Sequence, residues 1–257
     1  MWTTFAANSV SEADSSVITF HVNSFVEGVI GTPRPYSVRH DDMFTLLFVV
    51  SILLLAVIIG SYLHTIKSLI RNFFFPPTTE DADVPARVTP LLLFFATMTC
   101  VIMSLSSFVY TASMVEGSFA IKSTIAIIAI FFAAFTVYFL LKWFIYSIVN
   151  NVLFGSKKSL HWNTVYFILT AFEGLLTMPL LLMVVYLGLS VEIASYCFIF
   201  VLFLNKMLSF YKSQVIFFRQ KILFLQNILY FCALEMTPLL AFGGAWLMLA
   251  HILKVNY

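Results

Sequence analysis

Ser123-Thr124-Ile125-Ala126-Ile127-Ile128-Ala129-Ile130-Phe131-Phe132-Ala133-Ala134-Phe135-Thr136-Val137-Tyr138-Phe139-Leu140-Leu141 carries no charge from end to end. A bilayer core about 30 Å thick is crossed by about 20 mostly apolar residues in a helix. Hydrocarbon offers no partner to an unpaired backbone group, so a run of this length reads as a helical span. Outward from it, uncharged runs of the same kind stand at Met43 to Leu63 and at Thr89 to Tyr110. On the other side, Trp162 to Leu187 is interrupted only by Glu173. Val191 to about Phe210 has Glu192 at its start and Lys206 near its end, and Ile222 to Leu249 is interrupted only by Glu235. The expectation is an all-α integral membrane bundle of six transmembrane helices, at about 43–63, 89–110, 123–141, 162–187, 191–210 and 222–249. Residues 43–257 form the membrane domain and residues 1–42 a polar extracytoplasmic tail. The connection Gly188 to Ser190 is short enough to make spans four and five a tight antiparallel hairpin.

Composition agrees. The chain of 257 residues is 61% hydrophobic and 10% charged, against about 25% charged in soluble domains. So little charge cannot clothe a soluble globule, and 29 Phe suit a surface that meets lipid. The basic residues flank apolar runs rather than lining one solvated face, so no nucleic-acid partner is expected. Cys100, Cys197 and Cys232 fall inside apolar segments, an odd and dispersed set that gives neither a disulfide framework nor metal-ligand spacing; they read as packing residues. Met1 to Phe20 lacks a basic n-region and a long apolar core, so it does not read as a signal peptide. The tail ends in the breaker-rich Gly31-Thr32-Pro33-Arg34-Pro35.

Lys and Arg placement sets the expected orientation. Lys67, Arg71 and Arg87 follow span one, Lys142, Lys157 and Lys158 follow span three, and Lys206, Lys212, Arg219 and Lys221 end span five and follow it. The opposite side holds only Arg34, Arg39, Lys122 and Lys254. The richer side is assigned to the cytoplasm, which puts both termini outside (N-out, C-out). On that side, Ser68 to Phe75, Ser147 to Phe154 and Ser209 to Phe217 each mix aromatic and aliphatic residues with a few polar or basic ones, a texture that suits helix extensions or interfacial helices with snorkelling basic heads. The proline-rich loop Pro76 to Pro85 reads as exposed and irregular.

Glu173 and Glu235 are the feature with chemical content. An acid at mid-bilayer costs about 2.5–3.5 kcal/mol on insertion scales, so it is rarely left facing lipid. At about 1.5 Å per residue they lie about 16 and about 20 Å from the basic edge of parallel spans, at one shared depth near the midplane. Each precedes a proline, in Glu173-Gly174-Leu175-Leu176-Thr177-Met178-Pro179 and in Glu235-Met236-Thr237-Pro238. Pro179 and Pro238 should free the carbonyls of Leu175 and Leu234 and kink both spans, with Thr177 and Thr237 placed to satisfy the freed groups. Glu173, Glu235, Thr177, Pro179, Thr237 and Pro238 thus form a candidate intramembrane polar site. Against this stands a packing role, in which a neutral Glu, the favoured form in hydrocarbon, pins two helices through a backbone hydrogen bond. Lys142 and Lys206 lie near enough to the basic edge to snorkel instead of pairing with either acid.

No His-Glu-x-x-His pair, Gly-x-Ser-x-Gly elbow or glycine-rich phosphate loop occurs in the sequence. His21, His40, His64, His161 and His251 fall outside the spans or at their ends. No catalytic residue, metal ligand or cofactor is assigned.

The segment Leu229-Tyr230-Phe231-Cys232-Ala233-Leu234-Glu235-Met236-Thr237-Pro238-Leu239-Leu240 resembles the C-terminal signature of an uncharacterised family of polytopic membrane proteins typical of the Bacteroidota, domain of unknown function 4271. The matching positions are Tyr230, Cys232, Glu235, Pro238 and Leu239, with Phe231 where Leu is more usual. Phe172-Glu173-Gly174-Leu175-Leu176 with Pro179-Leu180 resembles the family's middle region, and the similarity covers about residues 40 to 257. The resemblance implies a multi-pass protein of a bacterial inner membrane and brings no activity. The leading expectation is then a non-enzymatic subunit of envelope assembly or of a larger membrane complex, with lipid and a second copy or a complex protein as partners. The alternative is a small proton-coupled carrier using the two glutamates. A lipid-modifying enzyme comes third.

Overall fold

The computed structural model describes residues 38–74, 88–114, 123–217 and 224–253, and all regular structure among them is helical. The polar tail and the proline-rich loop lie outside the described residues, apart from residues 38–42. After a 3-10 turn at Val38–His40, the helices are α1 Asp42–Ser61, α2 Leu63–Phe74, α3 Val88–Met114, α4 Thr124–Phe154, α5 Ser156–Tyr186 and α6 Val191–Phe217. The last span is composite: α7 Phe224–Phe231, a π-helical turn Cys232–Met236 and α8 Thr237–Leu253. Six stretches are long and apolar enough to cross a membrane: Asp42–Ser61, Val88–Ser113, Thr124–Leu153, Lys158–Tyr186, Val191–Phe217 and Ile228–Ile252. The protein is therefore a six-span all-α membrane bundle.

Asp41 caps α1, accepting from the backbone N–H groups of Met43 at 3.1 Å and Phe44 at 3.2 Å, which satisfies two of the orphan donors at a helix start. Its second oxygen accepts from the Thr124 hydroxyl at 2.7 Å, so α1 and α4 begin side by side. Spans one, three and five run one way and the others return.

The third and fifth spans extend further than the uncharged runs suggest. Helix α4 continues past Lys142 to Phe154, and α6 past Lys206 to Phe217. An interior partner for each lysine removes the cost that would otherwise end the span at the charge. At the basic end of α4, Gly155 takes φ 84°, a left-handed backbone that side chains disfavour, and α5 starts at the next residue. The stretch after span one is a separate amphipathic helix, α2, set off from α1 at Tyr62; the other two interfacial stretches are extensions of α4 and α6.

Helix α3 is the most enclosed span, lying against α1, α4 and α5. It meets α5 through small groups: Thr99 Oγ1 donates to the Thr170 carbonyl at 3.0 Å, and a Cβ on Gly174 would lie 2.9 Å from Thr99 Cα. Small residues let helix backbones approach where no hydrophobic force separates protein from lipid. Toward the α1 start, Phe44, Phe48, Phe108, Phe131 and Leu181 fill the interior. Toward the basic end, Tyr146, Trp162, Tyr166, Phe217 and Tyr230 do so. Of the cysteines only Cys100 is buried; Cys197 is half-buried and Cys232 exposed, so packing accounts for the first alone.

Candidate functional site

Between the two aromatic layers lies a buried cluster of charges. Glu235, 3% exposed, sits in the π-helical turn of the last span. A π turn widens the helix by one residue per hydrogen bond and is often found where a side chain must be re-aimed. It ends at Thr237, whose backbone N–H bonds the Cys232 carbonyl, just ahead of the donor-less Pro238. One oxygen of Glu235 accepts from Lys142 Nζ at 2.5 Å and Lys206 Nζ at 3.1 Å. The other accepts from the Tyr146 hydroxyl at 2.5 Å and the Ser209 hydroxyl at 2.8 Å. Four donors converge on one carboxylate from α4 and α6.

Lys142 is held on its other sides by aromatic faces. Its ammonium lies 6.0, 5.8 and 5.7 Å from the ring centres of Tyr138, Tyr146 and Tyr166, the range in which a ring quadrupole attracts a cation. The two lysines therefore do not snorkel. Lys142 is 4% exposed, and leaving it unpaired at that depth would cost more than extending the chain toward water can recover.

Glu173 on α5 is buried and does not touch Glu235. Asn205 Nδ2 of α6 donates to one of its oxygens at 2.5 Å, and it lies within Coulombic range of Lys206 and Lys142. The two acids of the candidate site are thus linked through shared lysines and through one stripe of α6, with Asn205 serving Glu173 and Ser209 serving Glu235. Among the described residues, the Tyr138 hydroxyl and Asn205 Oδ1 have no hydrogen-bond partner.

The threonines act differently from expectation. Thr177 Oγ1 donates to the Glu173 carbonyl at 2.8 Å and Thr237 Oγ1 to the Cys232 carbonyl at 3.1 Å, not to the carbonyls of Leu175 and Leu234. A helical threonine reaches one turn back, and the π turn moves that reach to the fifth residue. Pro179 lies inside α5, which continues through it as one helix.

A cavity of about 330 Å³ opens beside Glu173. Glu173, Thr177, Leu181 and Val184 line it along successive turns of α5, and Ala194, Ser195 and Phe198 along α6. It therefore runs from the charge cluster toward the α5–α6 turn. Tyr138, Phe242 and Trp246 make its aromatic wall, with Tyr138 and Phe242 rings 4.4 Å apart and Trp246 Nε1 donating to Ser107 Oγ at 3.0 Å. Apart from Glu173 the lining has no charged side chain.

The profile of a family described as a domain of unknown function (DUF4271) matches residues 44–245. The chain belongs to that family. The DUF4271 match contains both acids, both lysines and all the cavity wall except Trp246. No curated protein and no solved structure matches the chain.

Lys142, Lys206, Tyr146, Asn205 and Ser209 were not assigned to the site from sequence. A signal for them exists in spacing. Tyr138, Lys142 and Tyr146 recur every fourth residue on α4, as do Asn205, Ser209 and Ser213 on α6, which places each set on one face.

Proposed function

We propose that the protein is a small proton-coupled membrane carrier, in which the cavity receives a mostly apolar molecule and Glu173 exchanges a proton with its occupancy. The observation that carries this reading is the position of Glu173: it is at once a wall of the cavity and a neighbour of the charge cluster. Glu235 is saturated by four donors and serves as a fixed counter-ion. Glu173 keeps one oxygen unengaged among the described residues and is the member able to change state. Small-molecule sites are concave, largely apolar and carry few convergent polar groups, which describes this cavity. The proposed setting is a bacterial inner membrane, with the basic ends of the helices in the cytoplasm and both termini outside.

Trp246 provides a reporter. In nanodiscs, an ω-brominated decanol should quench its fluorescence saturably. The saturable component should vanish in Trp246→Phe, where the other three tryptophans remain, and weaken in Ser195→Phe, which fills the cavity. Quenching that never saturates, or that Trp246→Phe leaves unchanged, would show partition into lipid and remove the reading.

The second reading, a non-catalytic subunit of an envelope complex, is favoured by the small mass outside the spans in a chain that is 61% hydrophobic. Purification in mild detergent should then recover a stoichiometric partner. A lone monomer that retains saturable binding at Trp246 would favour the carrier.

A further inference from the structure

We infer that the cavity takes an amphiphilic monoanion, a carboxylate on an apolar body, and that it binds together with a proton on Glu173. The inference rests on the carrier reading above and names its ligand class.

Charge balance within the cluster sets the sign of the ligand. Lys142 and Lys206 pair with Glu235 in one buried cluster, and Glu173 lies within Coulombic range of both lysines. From the remaining elements packed against Glu173, the facing titratable groups are the Tyr138 hydroxyl of α4 and the Tyr166 hydroxyl of α5 itself; α3 carries no charged residue. With both acids ionised the four charges cancel. A net charge in low dielectric is costly, so binding should preserve the balance. A cationic ligand beside ionised Glu173 leaves an uncompensated positive charge. An anionic ligand beside ionised Glu173 leaves a negative one. An anionic ligand beside protonated Glu173 leaves none.

The donors fit the same answer. Protonation turns the unengaged Glu173 oxygen into an O–H donor, and the unpartnered Tyr138 hydroxyl supplies a second. Two donors beside an excess lysine charge would hold a carboxylate, while Phe198, Phe242 and Trp246 contact its chain. No covalent step is involved: one proton from water goes to Glu173 and one anion enters, so the transfer is electroneutral.

Three ω-brominated ligands with one chain and different heads test this in nanodiscs: decanoate, decanol and decylammonium, read by quenching of Trp246. At mildly acidic pH the decanoate should bind at least about tenfold tighter than the decylammonium, the size of one charge-assisted hydrogen bond. Because the anion enters together with a proton, its affinity should fall as the pH rises. Glu173→Gln, which fixes the cluster at one excess positive charge, should keep decanoate binding and lose its pH dependence. Lys206→Met should lose the preference for decanoate while still binding decanol. Saturable binding without head-group preference, or with preference for the ammonium, overturns the inference and leaves the carrier reading standing. No saturable quenching by any of the three overturns both.

Discussion

Glu235 shows how a single side chain can be expensive to place and then hard to remove. Its two lysines and two hydroxyls offset the loss of water, and each becomes a liability once the carboxylate is gone. Breaking a buried pair by removing one partner typically costs about 3–5 kcal/mol, because a charge is left without compensation. Glu235→Gln should therefore lower the thermal unfolding midpoint in detergent sharply. The double variant Glu235→Gln with Lys142→Met restores the charge count and should recover part of that loss, since contacting residues do not behave additively. If the double variant loses as much as the two singles combined, the cluster is not held by mutual charge. Tyr146→Phe removes one donor of four and should cost about 1–3 kcal/mol by the same assay.

At the scale of helices, the apolar runs were legible because a span has no other way to satisfy its backbone, and the two acids were legible because an ionisable group in hydrocarbon is conspicuous. Their partners were less so. Lys142 and Lys206 stand where apolar runs end, and a lysine there has two outlets, water or an interior acid. Sequence order cannot choose between them without knowing which face of α4 and α6 turns inward. The polar stripe Asn205, Ser209, Lys212 and Ser213, all buried on α6, marks that face. The π turn at Cys232–Met236 had no signal beyond Pro238, because α and π windings share the same residue preferences. Gly174 likewise needed the neighbour to be seen. Gly174→Ala would gain up to about 1 kcal/mol in helix propensity but would drive a methyl into the Thr99 backbone. Overpacking typically costs about 1–3 kcal/mol, and a backbone atom cannot swing aside. The expected outcome is a net loss of stability in detergent melts; a neutral or stabilised variant would show that α3 and α5 are not in such close contact.

For the molecule as a whole, the basic ends of α4 and α6 and the amphipathic α2 lie at one end of the bundle, and the cavity runs toward the other. Under the proposed orientation, with the basic end in the cytoplasm, the cavity would open outward and the cluster would stand between it and the cytoplasmic half. Fusing alkaline phosphatase to the C-terminus should give an active enzyme and fusing green fluorescent protein a dark one; the reverse pattern would invert the direction of access. The central claim is that Glu173 gains a proton as the cavity fills. Isothermal titration of decanoate in buffers of different ionisation enthalpy reads that proton directly. Uptake of a proton with the ligand is expected in the wild type and none in Glu173→Gln; binding that takes up no proton in the wild type, or the same number in both, would contradict it.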